Sequence, residues 1–187
     1  MEFRISLTGD LGSGKSTIAE GLSKEFNAEI ISGGHIQRVL ASQMGLSIEQ
    51  FNIFMEKDRS FDRKLDDMFV AYNKKKGNFI FDSRMSWHFV PTAVSFYLKV
   101  DPREAARRVY CANRGDEKYS SEEEALLRLL SRRASEAKRY LQYYGQDITD
   151  MSNYDFVIDT TDKSPLEVCE IIKKCVREAT GEEAGSK

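Results

Sequence analysis

Gly9-Asp10-Leu11-Gly12-Ser13-Gly14-Lys15-Ser16 is the stretch that decides how this chain is read. It has the form G-x-x-x-x-G-K-S, a glycine-rich loop that cradles phosphate. Both flanks suit it. Phe3-Arg4-Ile5-Ser6-Leu7-Thr8 alternates like a strand, and the run from Thr17 to Phe26 sets Ile18, Leu22 and Phe26 on one helix face. Glycines at 9, 12 and 14 open backbone dihedrals closed to other residues and let the main chain approach a ligand. The loop N–H groups then form an anion-binding concavity, reinforced by the positive end of the following helix. Lys15 can reach the β- and γ-phosphates of a nucleotide, and the Ser16 hydroxyl can be offered to Mg²⁺. The motif predicts a nucleoside triphosphate site without saying what the phosphate is used for.

Composition narrows the rest. A length of 187 residues suits one domain with a substantial core. A net charge of −2 provides no global basic field for nucleic acid. Mean hydropathy is −0.50, and no apolar run approaches the ~20 residues that span a bilayer. The N-terminus runs straight into the first strand, with no visible signal peptide. Cys111, Cys169 and Cys175 are widely spaced and form no C-x-x-C pair, so free thiols in a reducing cytoplasm are expected. His35 and His88 are the only histidines, which argues against a histidine metal site. No protein partner is visible.

Along the chain, Ala28-Glu29-Ile30-Ile31-Ser32 reads as a second strand, parallel to the first in a right-handed β-α-β unit. Ser32-Gly33-Gly34 opens a helix whose Ile36, Val39, Leu40 and Met44 are spaced to pack inward, and Gly45 ends it. Residues 47–75 read as helical throughout, with a capping box at Ser47 and Gln50. Apolar faces come from Phe51, Phe54 and Met55 and from Leu65, Met68, Phe69 and Tyr72, with a charged stretch between. Strands follow at Asn78–Asp82, Val94–Val100 and Tyr154–Asp159. Asp101 and Pro102 start a helix to about Asn113, Arg114-Gly115-Asp116 breaks it, and a long helix covers about Ser121–Tyr144. Ser164-Pro165 caps a last helix to about Ala179, with Leu166, Val168, Ile171, Ile172 and Val176 available for burial; residues 180–187 should fray. Five strands alternating with helices predict an α/β fold: a five-stranded parallel sheet with helices on both faces. Ligands in such folds bind beyond the carboxyl ends of strands, here 9–17, 32–38, 82–84, 101–108 and 159–162.

Arginines form a second constellation. Asp82 ends a strand expected beside the loop strand, where a carboxylate can hold Mg²⁺; an ordinary turn aspartate is the plainer alternative. Arg84, two residues on, offers a fork for phosphate, or is a surface arginine. Arg128, Arg132, Ser135 and Arg139 share one face of the long helix, opposite Leu126, Leu130, Ala134, Ala137 and Leu141. That stripe suits a phosphate-rich cleft or a plain solvated surface, and Glu136 can relieve Arg132. The break from Arg114 to Ser121 is a candidate hinge for a closing lid.

With these residues assembled, nearly the whole chain to about Ala179 resembles a small P-loop nucleoside monophosphate kinase, most of all the cytidylate kinase-like family in its short archaeal form. The resemblance rests on GDLGSGKST, on IISGGHIQRVLASQMGLS, on Asp62-Arg63 with Asp66, on FIFDSR, and on RRASEAKRYLQYYGQDITDMSNYDFVIDTTDKSP. It implies a P-loop NTPase fold in one domain over 1–179, with a monophosphate-binding segment at about 33–76 and a lid at about 114–140. Ser32 and Gly33 would face the monophosphate, Arg38 and Arg84 would clamp its phosphate, and Asp62 and Arg63 would lie near the acceptor nucleotide. Arg132 and Arg139 would meet the transferring phosphoryl, and Arg108 or Arg114 would sit near the adenine of ATP. Ser83 replaces a common glycine, and Met85 to Phe89 departs from the family's small residues; Trp87 or Phe89 either stacks a base or belongs to the core.

The expected activity is direct transfer of the ATP γ-phosphoryl to a pyrimidine monophosphate, CMP or dCMP, through Lys15, Mg²⁺ and arginines. Another P-loop kinase, adenylate or dephospho-CoA kinase-like, differs only in its acceptor pocket. A nucleotide switch would want N-K-x-D, but Asn73-Lys74-Lys75-Lys76 lacks the aspartate. A regulatory protein that kept the fold without turnover is a further alternative.

Overall fold

Ile5 and Leu7 are fully buried on one face of the first strand, and Ser6 and Thr8 are buried on the other. A strand covered on both faces belongs inside a parallel sheet, and β1 (Arg4–Gly9) is central in the order β2-β3-β1-β4-β5. The computed structural model describes residues 2–112 and 119–181. The other strands are β2 (Glu29–Ser32), β3 (Phe79–Asp82), β4 (Val94–Lys99) and β5 (Phe156–Asp159), and every pairing is parallel. The helices are α1 (Lys15–Phe26), α2 (Gly33–Gln43), α3 (Ile48–Met55), α4 (Ser60–Tyr72), α5 (Ser86–Phe89), α6 (Pro102–Cys111), α7 (Glu122–Tyr144) and α8 (Pro165–Thr180). The α/β class expected from the alternation is therefore observed. Among the described residues no helix is long and apolar enough to cross a membrane.

The core has two sides. Ile18 and Leu22 of α1 and Val168, Ile172 and Val176 of α8 close over Ile5, Leu7, Ile80, Phe96 and Leu98. Leu65 and Phe69 of α4 cover Ile31, Phe79 and Phe81 on the opposite side. The buried hydroxyls there are satisfied: Ser6 Oγ and Ser86 Oγ share a hydrogen bond of 2.7 Å, and Thr8 donates to the Ser83 carbonyl at 2.9 Å. Register brings Leu7 and Ser32 level with Asp82, so the carboxyl ends of β1, β2 and β3 meet.

Some local expectations change. Residues 47–75 are two helices rather than one. Tyr143 of α7 donates its hydroxyl to the Met55 and Glu56 carbonyls, Asp58 accepts the Ser60 N–H at 2.8 Å, and Arg59 lies over the Tyr143 ring. These bonds satisfy the end of α3 and let the chain turn before α4. The inner face of α2 is Gly33, Gln37 and Ala41, while Val39 and Met44 are each 41% exposed. Leu166 on the first turn of α8 is also exposed. On α7 the buried side is Ala125, Leu129, Glu136, Arg139 and Tyr140, whereas Leu130, Ala134 and Leu141 face outward. Part of the cationic face thus turns inward because carboxylates meet it there. Arg114, most of the expected hinge and most of the tail lie outside the described residues.

Candidate active site

The loop between β1 and α1 is set by close main-chain contact. Gly9 has φ +148°, and a Cβ there would lie 2.3 Å from the Leu98 carbonyl oxygen. Its neighbour Asp10 donates its N–H to that carbonyl at 2.9 Å. The Asp10 carboxylate points away from the cleft: it accepts from the Tyr97 hydroxyl at 2.7 Å and the Val100 N–H at 3.1 Å, and pairs with Arg133 at 3.0 Å. It anchors the loop rather than facing a ligand. No side chain caps the N-terminus of α1, so the first-turn N–H groups beside the loop remain ready-made anion donors. Lys15 Nζ donates to the carbonyls of Gly9 at 3.0 Å and Asp10 at 2.6 Å. Burial, then the Arg84 charge, lowers its pKa to about 7.

One continuous cleft of about 590 Å³ passes this loop, lined by Leu11 to Ile18. Toward one end stand Glu104, Arg108, Thr160 and Thr161; toward the other, Gly33, Gln37, Arg38, Asp62, Asp66 and Met85. Arg84, Arg132, Glu136 and Asp82 also line it. Arg84 donates from Nη1 to the Gly9 carbonyl at 2.6 Å and from Nε to Glu136 at 2.7 Å. Arg132 Nε reaches the other Glu136 oxygen at 3.0 Å. Burial opposes the charge on Glu136, but Arg84 and then Arg132 outweigh it and hold the carboxyl down to about 2. One buried carboxylate therefore aligns two guanidinium groups beside the phosphate loop.

Ser16 Oγ and Ser32 Oγ each donate to Asp82 Oδ2 at 3.2 Å. Ser32 also caps α2 through the His35 N–H and stands behind the lining. Hydroxyl and carboxylate oxygens at a phosphate loop are the hard donors that Mg²⁺ takes alongside phosphate oxygens, so Ser16 and Asp82 fit such an ion. Among the described residues no group of three or more His, Cys, Asp or Glu could hold a metal.

A family model for the cytidylate kinase-like family matches residues 4–162. The chain belongs to the cytidylate kinase-like family. It is 32% identical to a cytidylate kinase of Methanosarcina acetivorans over 183 residues, covering 96% of this chain and 99% of that protein. It is also 33% identical to an S-adenosylmethionine-dependent nucleotide dehydratase of Lacinutrix mariniflava, covering 92% of this chain but spanning only 35% of that longer protein. Among solved structures, a shikimate kinase from Bacteroides thetaiotaomicron superposes with a TM-score of 0.61 at 12% identity, covering 94% of this chain and 98% of that one. At that identity the likeness shows the fold alone, the P-loop kinase α/β fold.

Within this family member the expected site residues divide. Gly12 to Thr17, Gly33, Arg38, Asp62, Asp82, Arg84, Arg108 and Arg132 line the cleft. Arg63 is exposed and Arg128 is bound to Glu124, and neither lines it. Arg139 is buried behind the wall, its Nε 3.5 Å from Asp62. Arg108 is committed to Glu104 and to the Thr160 and Thr161 carbonyls, each at 2.8 Å. Trp87 packs on Tyr154 and donates to the Arg84 carbonyl, and Phe89 packs on Tyr144; neither lines the cleft, so both are core aromatics. Sequence reasoning left out Tyr140, gave Asp66, Gln37 and Thr160 no role beyond their place in a motif or at a strand end, and gave Glu136 only a relieving role. The i,i+4 spacing of Glu136 from Arg132 was the available signal.

Proposed function

We propose that this protein is an ATP:nucleoside-monophosphate phosphotransferase acting on CMP or dCMP in the cytoplasm. The observation that supports it most is Arg84 and Arg132 joined on Glu136 beside Lys15, midway along one continuous cleft. Residues 1–179 form the kinase domain and 180–187 a tail. ATP occupies the end near Arg108, with its phosphates on Gly12 to Thr17; segment 33–76 receives the acceptor and segment 114–140 closes as the lid.

An oxygen of the acceptor's 5′-phosphate attacks the γ-phosphorus as the bond to the β-bridging oxygen breaks, and ADP leaves. Both nucleophile and leaving group are phosphate oxygens, already ionised at neutral pH, so no general base is assigned. Lys15 and the Arg84–Arg132 pair supply positive charge where the equatorial oxygens gain negative charge. Arg38 and Arg84 orient the acceptor phosphate, Arg139 steadies the wall behind Asp62, and closure excludes water that would otherwise take the phosphoryl group. Ser16 and Asp82 would hold Mg²⁺, which would neutralise phosphate charge there. The test is ADP formation from Mg-ATP with CMP, dCMP, UMP, AMP and dephospho-CoA. Turnover should be fastest with CMP or dCMP; fast turnover only with dephospho-CoA or AMP would discard the acceptor assignment.

A further inference from the structure

We propose that Asp66 reads the base of the acceptor nucleotide, accepting a hydrogen bond from an exocyclic amino group and so selecting cytosine over uracil. The inference rests on the phosphotransferase reading above and names the residue that makes its acceptor choice.

Asp62 and Asp66 stand one turn apart on α4, and both line the acceptor end of the cleft. They are not equivalent. Asp62 is 3% exposed and faces the buried Arg139, whose charge also acts on Glu136 at the phosphate centre. The Asp62 Oδ2 atom nevertheless lacks a hydrogen bond, as do Arg139 Nε and Nη1. Asp62 Oδ2 and Arg139 Nε instead face each other as an ion pair at 3.5 Å, which commits Asp62 to the buried arginine rather than to a ligand.

Asp66 lies further from the arginines. Tyr144 donates its hydroxyl to Asp66 Oδ2 at 2.6 Å, which holds the carboxylate in one orientation. Among the described residues no hydrogen bond to Oδ1 is found. Leu65, Phe69 and Met85 line the cleft around it, an apolar setting suited to the faces of a flat ring, and Gln37 adds an amide. Burial, with Asp62 and Asp67 adding to it, pushes the Asp66 carboxyl up to about 6 against the Tyr144 hydrogen bond and Arg59. An anion so poorly solvated gains from any N–H placed against it. The 4-amino group of cytosine is such a donor. The O4 of uracil is an acceptor, and leaves two oxygen lone pairs facing each other with neither satisfied.

The experiment is kcat/KM for CMP and UMP with wild type, Asp66→Asn and Tyr144→Phe, each checked for folding by circular dichroism. An amide can donate to O4, so the CMP-to-UMP ratio should fall by about 100-fold in Asp66→Asn. Tyr144→Phe keeps the carboxylate but releases its orientation, so the ratio should fall by less than in Asp66→Asn. Should Asp66→Asn fail to fold, Asp66→Ser is read in its place, with the same loss of ratio expected. Equal losses with both acceptors, leaving the ratio unchanged, would make Asp66 structural and overturn the inference while sparing the kinase reading. No turnover of either acceptor by folded wild type would overturn that reading, and the inference with it.

Discussion

Lys15 illustrates how a single side chain is tuned by its surroundings. Its ammonium rests on two loop carbonyls, and burial next to Arg84 lowers its pKa to about 7. A bound triphosphate reverses this balance by bringing negative charge to the same spot. Nucleotide binding at about pH 8 is therefore expected to take up a proton, because the free site is mostly neutral there and the occupied site is charged. Calorimetry in buffers of different ionisation enthalpy measures the uptake, and Lys15→Met should abolish it. Glu136 works in the opposite sense. Its folded carboxyl is held at about 2, below the ordinary 4.5, so its contribution to stability is fully present above about pH 4.5 and is lost as the pH falls toward 2. Glu136→Gln leaves two half-buried guanidinium groups without their anion and should cost about 2–4 kcal/mol at neutral pH. The stability of that variant should also vary less with pH across the acid window, as urea titrations at several pH values would show.

At the scale of elements, α7 connects the parts of the site. Tyr143 binds the end of α3, Ser135 bonds to Glu56, Arg139 faces Asp62, and Glu136 holds Arg84. Helices α3 and α4 are thus tied to α7 by polar contacts, which break more readily than an apolar core. Tyr143→Phe should destabilise the protein by only about 1 kcal/mol. It should raise KM for the acceptor while leaving KM for ATP nearly unchanged, because the loosened segment carries Asp62 and Asp66 but not the phosphate loop. Equal changes in both constants would contradict this division. The same contacts explain what the sequence could and could not reveal. The phosphate loop and β1 were legible because their signals are local: glycines at fixed spacing and alternating Ile5 and Leu7. The break at 56–59 was not, because it depends on Tyr143, far along the chain. The orientation of α7 was misread for a similar reason. Leu130 and Leu141 look like its inner face until Glu136 and Asp62 are seen to draw arginines inward.

Across the whole molecule, the parallel sheet performs the essential placement. Its order sets β3 directly beside β1, so Asp82 and Arg84 emerge next to Lys15 and Ser16. That convergence could be anticipated from the rule that strand ends carry the site, and it was. The packing that brings α2, α4, α6 and α7 around one cleft could not, since it joins helices distant in sequence. The central claim is that a phosphoryl group passes from ATP directly to a monophosphate across this cleft. Single-turnover transfer from ATP labelled at the γ-phosphorus, with CMP present, tests it most directly, alongside folded Lys15→Ala and Arg84→Ala. The account predicts that label appears in CDP with wild type, that free phosphate stays low, and that both variants lose the transfer. Label released as inorganic phosphate at a rate indifferent to CMP would contradict it.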